Sequence, residues 1–302
     1  MAGLSILRPG LFTTVQDLGR WGLQSRGVPV SGALDWYSHR LANGLLKNES
    51  TMATLEVTLM GPHVRFEAGH AFAVAGAVFD LTLDDMPVEM NTAIEARPGA
   101  VLKFGLRRYG ARAYLAVNGG VDVPEVLGSR STHALTGMGG YEGRSLRAGD
   151  TIRVGGGSDR PGPITPITSR PLPLTDSHVR LRMIPADPRL AAHLVGRRFR
   201  VSTRSDRMGY RLEGPTIDAA PGEMVSTAIP TGAIQVPPTG QPILLMNDHA
   251  TTGGYAIAGT VITADLPAAG QLAPGDWIEF EACSMETARA ELRQREAALD
   301  AG

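Results

Sequence analysis

Residues 146–152 read Leu146-Arg-Ala-Gly-Asp-Thr-Ile152, and residues 272–278 read Leu272-Ala-Pro-Gly-Asp-Trp-Ile278. Both fit L-x-x-G-D-x-I, and Asp150 and Asp276 lie 126 residues apart. The pattern describes a tight turn entering a strand. Glycine adopts the left-handed backbone, aspartate binds local N–H groups, and a β-favouring residue starts the strand. Two weaker echoes accompany it. Ser129-Arg-Ser-Thr132 is echoed by Thr203-Arg-Ser-Asp206, and the Gly-Pro at 61–62 by that at 214–215. The order within each half is not identical. Even so, three echoes predict two related β-rich units in one chain.

The totals agree with such a chain. Its 302 residues leave room for two domains. Gly 37 and Pro 21, with only 5% aromatics, fit many turns joining short strands. A net charge of −1 removes the basic face that a nucleic-acid partner requires. The single cysteine, Cys283, rules out an internal disulfide framework. It is read as a small buried hydrophobe and fits a reducing compartment. The N-terminal stretch lacks the apolar core of a signal peptide, and no apolar run approaches the roughly 20 residues of a membrane span. The expected location is cytoplasmic.

Working outward, a helix is expected over 33–47, capped by Ser31, with Leu34, Tyr37, Leu41 and Leu45 on one face. Strands are expected at 53–59, 63–66, 71–74, 79–83, 101–104, 113–117 and 151–154. Residues 155–173 are rich in Gly, Pro, Ser and Thr and read as a linker. Beyond it, strands are expected at 179–184, 198–202, 210–213, 233–236, 243–246, 260–264 and 277–280. A short helix opens with Asp187 as cap and Pro188 at its first position. Ser284 caps a last helix whose inner stripe is Met285, Ala288, Leu292 and Leu299. The expected organisation is an N-terminal domain 1–160, a C-terminal domain 174–283 and a C-terminal helix 284–302.

No phosphate-binding loop, nucleophile elbow, zinc-protease motif or cysteine pair is present. The seven histidines have no metal-ligand spacing, so no metal is expected; His133 and His249 stay open because each lies in a dense polar motif. Four Gly-rich polar clusters carry the chemistry. One is the aperiodic stretch 13–35, read as an ordered loop presenting Gln16, Asp17, Arg20, Ser31 and Asp35. The second is Gly128-Ser-Arg-Ser-Thr132. The third is Ser205-Asp-Arg-Met-Gly-Tyr210. The fourth runs through Gln235 to Asn247-Asp-His249 and Thr251-Thr-Gly-Gly-Tyr255. Loops of this kind offer N–H groups to an anion while arginine grips a carboxylate or phosphate with two prongs. They also suit a second use, in which Arg130 and Arg207 pair with neighbouring aspartates and brace the loops.

The same clusters carry a resemblance. Thr13-Thr-Val-Gln-Asp-Leu-Gly-Arg20, Gly27-Val-Pro-x-Ser-Gly-Ala-x-Asp35, Gly128-Ser-Arg-Ser-Thr132, Asp206-Arg-Met-Gly-Tyr-Arg-Leu212, Gly232-Ala-Ile-Gln-Val-Pro-Pro238 and Thr251-Thr-Gly-Gly-Tyr255 resemble the biotin-dependent carboxyltransferase family. That family is also known as the 5-oxoprolinase C subunits, the sporulation-inhibitor antagonists or allophanate hydrolase subunit 2. The resemblance covers residues 4–280. Asn118 and Ala256 depart from its pattern without touching the charged positions. It implies a mainly β fold with a few helices, built as two cyclophilin-like β-barrel domains.

It also implies one of two settings: carboxyl transfer from carboxybiotin to urea, or ATP-dependent hydrolysis of 5-oxoproline to glutamate. The chain shows no biotin carboxylase segment or biotinyl motif, which favours the second. The expected partners are then an inhibitor-like sister subunit (the B type) and a lactam-utilisation subunit (the A type), with ATP used by the assembled, hetero-oligomeric enzyme. This chain is expected to be inactive alone. Biotin belongs only to the alternative reading, and a further alternative is a non-catalytic protein that antagonises a kinase-inhibitor-like partner. Residue chemistry, rather than the family match, suggests roles. Arg20, Arg130 and Arg207 supply cationic contacts, Gln16 and Gln235 hold the amide, and Asp17 or Asp248 orients a proton or an arginine. Ser31, Asp35, Ser131, Thr132, Thr251, Thr252 and Tyr255 complete the expected substrate-binding set.

Overall fold

A computed structural model describes residues 3–156, 178–218 and 225–300. It is mainly β, with two barrel-like sheets. The chain divides into two compact units. The first comprises Met1–Arg20, Ser31–Leu174 and Ala297–Gly302, and the second Trp21–Val30 and Thr175–Glu296. Of the expected linker at 155–173, all but the first two residues lie outside the described residues.

In the first unit, ten strands form one sheet: β1 (Gly3–Arg8), β2 (Phe12–Gln16), β3 (Thr54–Thr58), β4 (His63–Phe66), β5 (His70–Leu83), β6 (Met86–Val88), β7 (Ile94–Ala96), β8 (Val101–Val117), β9 (Val121–Asp122) and β10 (Thr151–Val154). β8 organises it. Its first residues pair with β4, its last with β3, and β5 runs along it antiparallel. The inner face buries Leu4, Val15, Leu55, Phe66, Phe72 and Leu115, with Phe66 stacked on Phe72 at 5.1 Å. The helix α1 (Trp36–Leu45) packs Tyr37, Leu41 and Leu45 against Ala73, Ala75 and Ala116, whose short side chains let the helix approach the sheet.

Several expected boundaries are corrected. Residues 71–74 and 79–83 belong to one strand, as do 101–104 and 113–117. Gly76 with φ +105, the bulges between Gly76 and Leu81, and the polar run 105–112 look like loops but stay in register across the pair. Residues 13–16 are strand, not loop: β2 pairs with β3 from Phe12 to Gln16. The cap of α1 is Asp35, not Ser31. Asp35 Oδ1 accepts the Ser38 N–H at 2.9 Å and Oδ2 the Ser38 hydroxyl at 2.6 Å. Ser31 instead takes a left-handed φ of +56 and is buried.

The second unit holds β11 (His178–Pro185), β12 (Arg198–Val201), β13 (Gly209–Glu213), β14 (Thr227–Ala228), β15 (Ala233–Val236), β16 (Ile243–Leu245), β17 (Thr252–Gly253), β18 (Ala256–Val261) and β19 (Trp277–Ala282). Seven close a barrel in the order β11-β18-β15-β16-β13-β12-β19, and β14 and β17 form a separate ribbon. Its helices are α2 (Pro188–Ala192), capped by Asp187 as expected, and α3 (Leu266–Gly270). A last helix, α4 (Met285–Asp300), starts where Ser284 Oγ accepts the Thr287 N–H at 3.1 Å. Arg182 ties Glu291 of α4 and Asp265 to the barrel. The strand expected at 260–264 ends at Val261, because Thr263–Asp265 winds into a 3-10 turn. Cys283 is half-buried rather than buried, though burial still raises its thiol pKa. Met285 is exposed and leaves the expected stripe.

The two L-x-x-G-D-x-I turns are built alike. Gly149 and Gly275 take φ of +90 and +97. Asp150 accepts the Arg147 N–H at 2.7 Å, and Asp276 the Ala273 N–H at 2.8 Å. Each turn feeds a strand, β10 or β19. The Gly-Pro echo also has a common cause: a Cβ on Gly61 would strike the Phe104 ring, and one on Gly214 the Phe199 ring. The third echo has no common structure. Ser129 and Ser131 bind Asp17, whereas Ser205 binds the backbone of Arg211.

Candidate functional site

In the first unit, the expected site residues hold one another. Asp17 follows β2 and is 8% exposed. Its carboxylate accepts the Ser129 hydroxyl at 2.6 Å, the Ser131 hydroxyl, the Arg130 N–H and the Gly19 N–H at 2.8 Å. Burial pushes its pKa up, but these four donors outweigh burial and hold it below the ordinary aspartate value. Arg20 is buried and donates to the carbonyls of Val126, at 3.1 Å, and Ser131. Gln16 donates to Thr132 O at 3.1 Å, and Thr132 bonds back to Val15 O through both its N–H and its hydroxyl. The loop 128–132 is thus fastened to the end of β2 by charge-assisted bonds. Arg130 turns its guanidinium to Glu125 and Val123 O. Asp17, Arg20, Ser131 and Thr132 thus hold the loop to the end of β2 and Asp35 caps α1, while Gln16 Oε1 and Ser31 Oγ are buried with no hydrogen-bond partner among the described residues.

Three buried groups escaped sequence reading. Glu56 sits in β3 and accepts the Tyr114 hydroxyl at 2.8 Å and the Leu34 N–H at 3.0 Å. Tyr114 in turn accepts the Asp35 N–H, and burial followed by Glu56 and Asp35 raises its pKa well above 10.0, so it stays a neutral donor. His39 is fully enclosed. Its Nδ1 meets the Thr54 hydroxyl at 2.9 Å and its Nε2 the Ser50 carbonyl at 3.2 Å, and burial drives its pKa down to about 4. A glutamate inside the apolar run Leu55-Glu-Val57 was the one readable signal.

In the second unit the polar residues surround a cavity of about 280 Å³. Arg207 and Asp248, both buried, form a two-pronged ion pair at 2.9 and 3.2 Å, reinforced by Asp248 N–H to Arg207 O. That pair anchors the segment carrying His249, which lines the cavity. His249 Nδ1 faces Ala250 O at 2.6 Å and Nε2 the Thr231 hydroxyl at 3.2 Å. Burial lowers its pKa against the opposing pull of that carbonyl and of Asp248, so the ring is neutral near pH 7.

Gln235 is the centre of this arrangement. It lies in β15 and is 6% exposed. In β15, Gln235 alternates with Ile234 and Val236 and so takes the opposite face of the strand, while the register shift with β18 falls at Ala258 of the partner strand. Gln235 lines the cavity, and its Nε2 has no hydrogen-bond partner among the described residues. A buried donor in that state costs about 1–3 kcal/mol until an acceptor reaches it. Thr252 and Tyr255 line the same cavity; Thr251 is not among its described lining residues. The arrangement can bind a compact molecule that offers an acceptor oxygen. Among the described residues there is no group of side chains able to hold a metal ion, and no helix is long and apolar enough to cross a membrane.

Comparison with known proteins agrees with these motifs. The family model "Carboxyltransferase domain, subdomain A and B" matches residues 26–282. The chain is 38% identical to the 5-oxoprolinase C subunit of Haemophilus influenzae, over 95% of this chain and 93% of that protein. It is also 38% identical to the 5-oxoprolinase C subunit of Escherichia coli, over 94% and 93%. The crystal structure of the K. lactis urea amidolyase matches with a TM-score of 0.92 at 33% identity; it covers 99% of this chain but 20% of that much longer one. The chain belongs to the carboxyltransferase-domain family of subdomains A and B, and is homologous both to the C subunits of 5-oxoprolinases and to the carboxyltransferase domains of urea amidolyases.

Proposed function

We propose that this chain is the C subunit of an ATP-dependent 5-oxoprolinase, working in the cytoplasm with an inhibitor-like subunit and a lactam-utilisation subunit. The observation that carries this reading is the end-to-end likeness to a 5-oxoprolinase C subunit, which spans 95% of this chain and 93% of the relative. A lactam is a poor electrophile, and ATP supplies its activation by phosphorylating the carbonyl oxygen before water opens the ring. The second unit's cavity does not suit a triphosphate: Asp206 stands on its wall and Arg207 is committed to Asp248. ATP is therefore assigned to the assembled enzyme. The role given to this chain is to hold the amide, with Gln235 Nε2 donating to the carbonyl oxygen while the Arg207–Asp248 pair and neutral His249 keep the pocket in shape.

The test is co-expression with both partner subunits, followed by assay of 5-oxoproline-dependent ATP hydrolysis and glutamate release. Both are expected only when this chain is present. Full activity without it would leave the regulatory reading. Gln235→Ala and Arg207→Ala are each expected to lower turnover by about tenfold or more; retention within about twofold sinks the assignment. The close structural match to urea amidolyase favours a second reading, carboxyl transfer to urea or another amide. Carboxybiotin-dependent carboxylation in place of 5-oxoproline turnover would establish it.

A further inference from the structure

We propose that Gly253 is the specificity-determining position of the second unit's cavity: it keeps Gln235 Nε2 open to the carbonyl oxygen of a small amide or lactam. The proposal rests on the proposed function for the choice of ligand, and on four observations for the site. The Gln235 side chain is more than nine-tenths buried, lines the cavity and leaves its amide donor unmet among the described residues. An unmet donor calls for an acceptor, not for another donor or a cation. The walls beside it include Met208, Ile229, Ile243 and Leu245, which suit an apolar ring or chain. Finally, a Cβ on Gly253 would lie 2.9 Å from Gln235 Nε2 and 2.5 Å from Ile229 Cδ1.

That last contact is the discriminating feature. Gly253 is paired with Thr227 in a strand, and its φ lies outside the left-handed region, so the backbone does not require glycine there. A Cβ there would press on the free ends of the Ile229 and Gln235 side chains and not on backbone, so its effect falls on how the Gln235 amide is presented. A methyl group at this place covers the unmet buried donor that the cavity presents, and closes the cavity to the molecule that needs it. The charges on the lining, Asp206 and Arg211, are of opposite sign, so the cavity neither requires nor excludes a carboxylate, and the carbonyl oxygen is the feature that its ligands share.

The experiment is titration of the full chain with 2-pyrrolidinone and with 5-oxo-L-proline, followed by calorimetry or ligand-observed NMR. Both are expected to bind. Gly253→Ala and Gln235→Leu are each expected to weaken binding by at least about tenfold, the scale of one lost buried hydrogen bond. The double variant Gly253→Ala/Ile229→Val removes the Cδ1 clash while leaving the donor covered, so it is expected to melt like the wild type and still bind weakly. Gly156→Ala, where a Cβ meets nothing within 4 Å, serves as control and is expected to bind as the wild type does. Wild-type affinity in both alanine variants at 253, or no binding of either probe to the wild type, overturns the proposal. Parallel assay of the assembled enzyme separates the two readings. An active enzyme whose Gly253→Ala chain binds normally sinks this inference alone. An assembly that leaves 5-oxoproline untouched, with Gly253-dependent binding of 2-pyrrolidinone intact, sinks only the proposed function.

Discussion

Most polar residues expected at the site in the first unit hold one another, although Gln16 Oε1 and Ser31 Oγ stay unmet among the described residues, whereas those of the second unit frame a cavity. Asp17 receives four donors and Arg20 meets two carbonyls, so the loop 128–132 is held to the end of β2. In the second unit the Arg207–Asp248 pair is used in the same way, but it supports a segment that faces an opening, and Gln235 still offers a donor. Similar Gly, Ser, Thr, Arg and Asp compositions thus produce a brace in one place and a pocket in the other. The difference lies in whether a close-packed partner loop or a concave barrel wall stands opposite the polar group.

Substitutions break or sharpen this contrast. The largest stability loss is expected from Asp17→Ala, which strands two buried hydroxyls and two N–H groups; roughly 4 kcal/mol follows from several charge-assisted bonds lost together. Chemical denaturation measures it, and a loss below about 1 kcal/mol would show that the loop is not held by this carboxylate. Asp248→Ala comes next, at about 3 kcal/mol, since it leaves the buried Arg207 without its main carboxylate. An unchanged denaturation midpoint would count against that pair as a brace. Gln235→Leu is expected to stay within about 1 kcal/mol of the wild type or to exceed it, because it removes an unmet donor. A cost equal to that of Asp17→Ala would erase the contrast between brace and pocket.

The first unit also carries a pH dependence. His39 is neutral in the fold down to about pH 4, because burial outweighs the opposing pull of Asp17 and Glu56. Below its ordinary value of 6.5 the unfolded chain takes up a proton that the folded chain refuses. Stability therefore falls as pH drops from 6.5 towards 4, by about 3 kcal/mol in total, and is fully present above 6.5. His39→Gln is expected to flatten the denaturation free energy across that window relative to the wild type; an unaltered slope would assign the dependence to other groups. The smallest effect is expected at Cys283. Its thiol pKa is raised by burial and it lies half-exposed, so Cys283→Ala is expected to shift stability by about 0.5 kcal/mol at most.

Much of the barrel framework was legible in the residues. The L-x-x-G-D-x-I turns are local objects: glycine dihedral and aspartate hydrogen bond both lie within four residues, so spacing alone finds them. The Gly-Pro echo was visible too, although its cause, a phenylalanine ring packed on the glycine, comes from a distant strand. The long strands β5 and β8 were harder to read. Their middle residues have no apolar alternation, and only the partner strand keeps them extended through the bulges. At the candidate site, sequence reading selected Asp17, Arg20, Arg207, Gln235 and Asp248 as a single class of polar loop residue. It could not tell a brace from a binding group, since that depends on groups as much as 114 residues away in the chain.

The amino-acid sequence by itself determined the β-rich plan of two units, the family and most of the buried polar residues of its loops. Those properties are written in local turn chemistry and in long motifs. Tertiary structure alone decided which partners those residues meet. Asp17 and Asp248 are equally suggestive on paper, yet each is held by partners brought from elsewhere in the fold. Gln235 of the barrel strand β15 lines a cavity directly beside Gly253 of the separate β14–β17 ribbon, and that juxtaposition exists only once barrel and ribbon have formed.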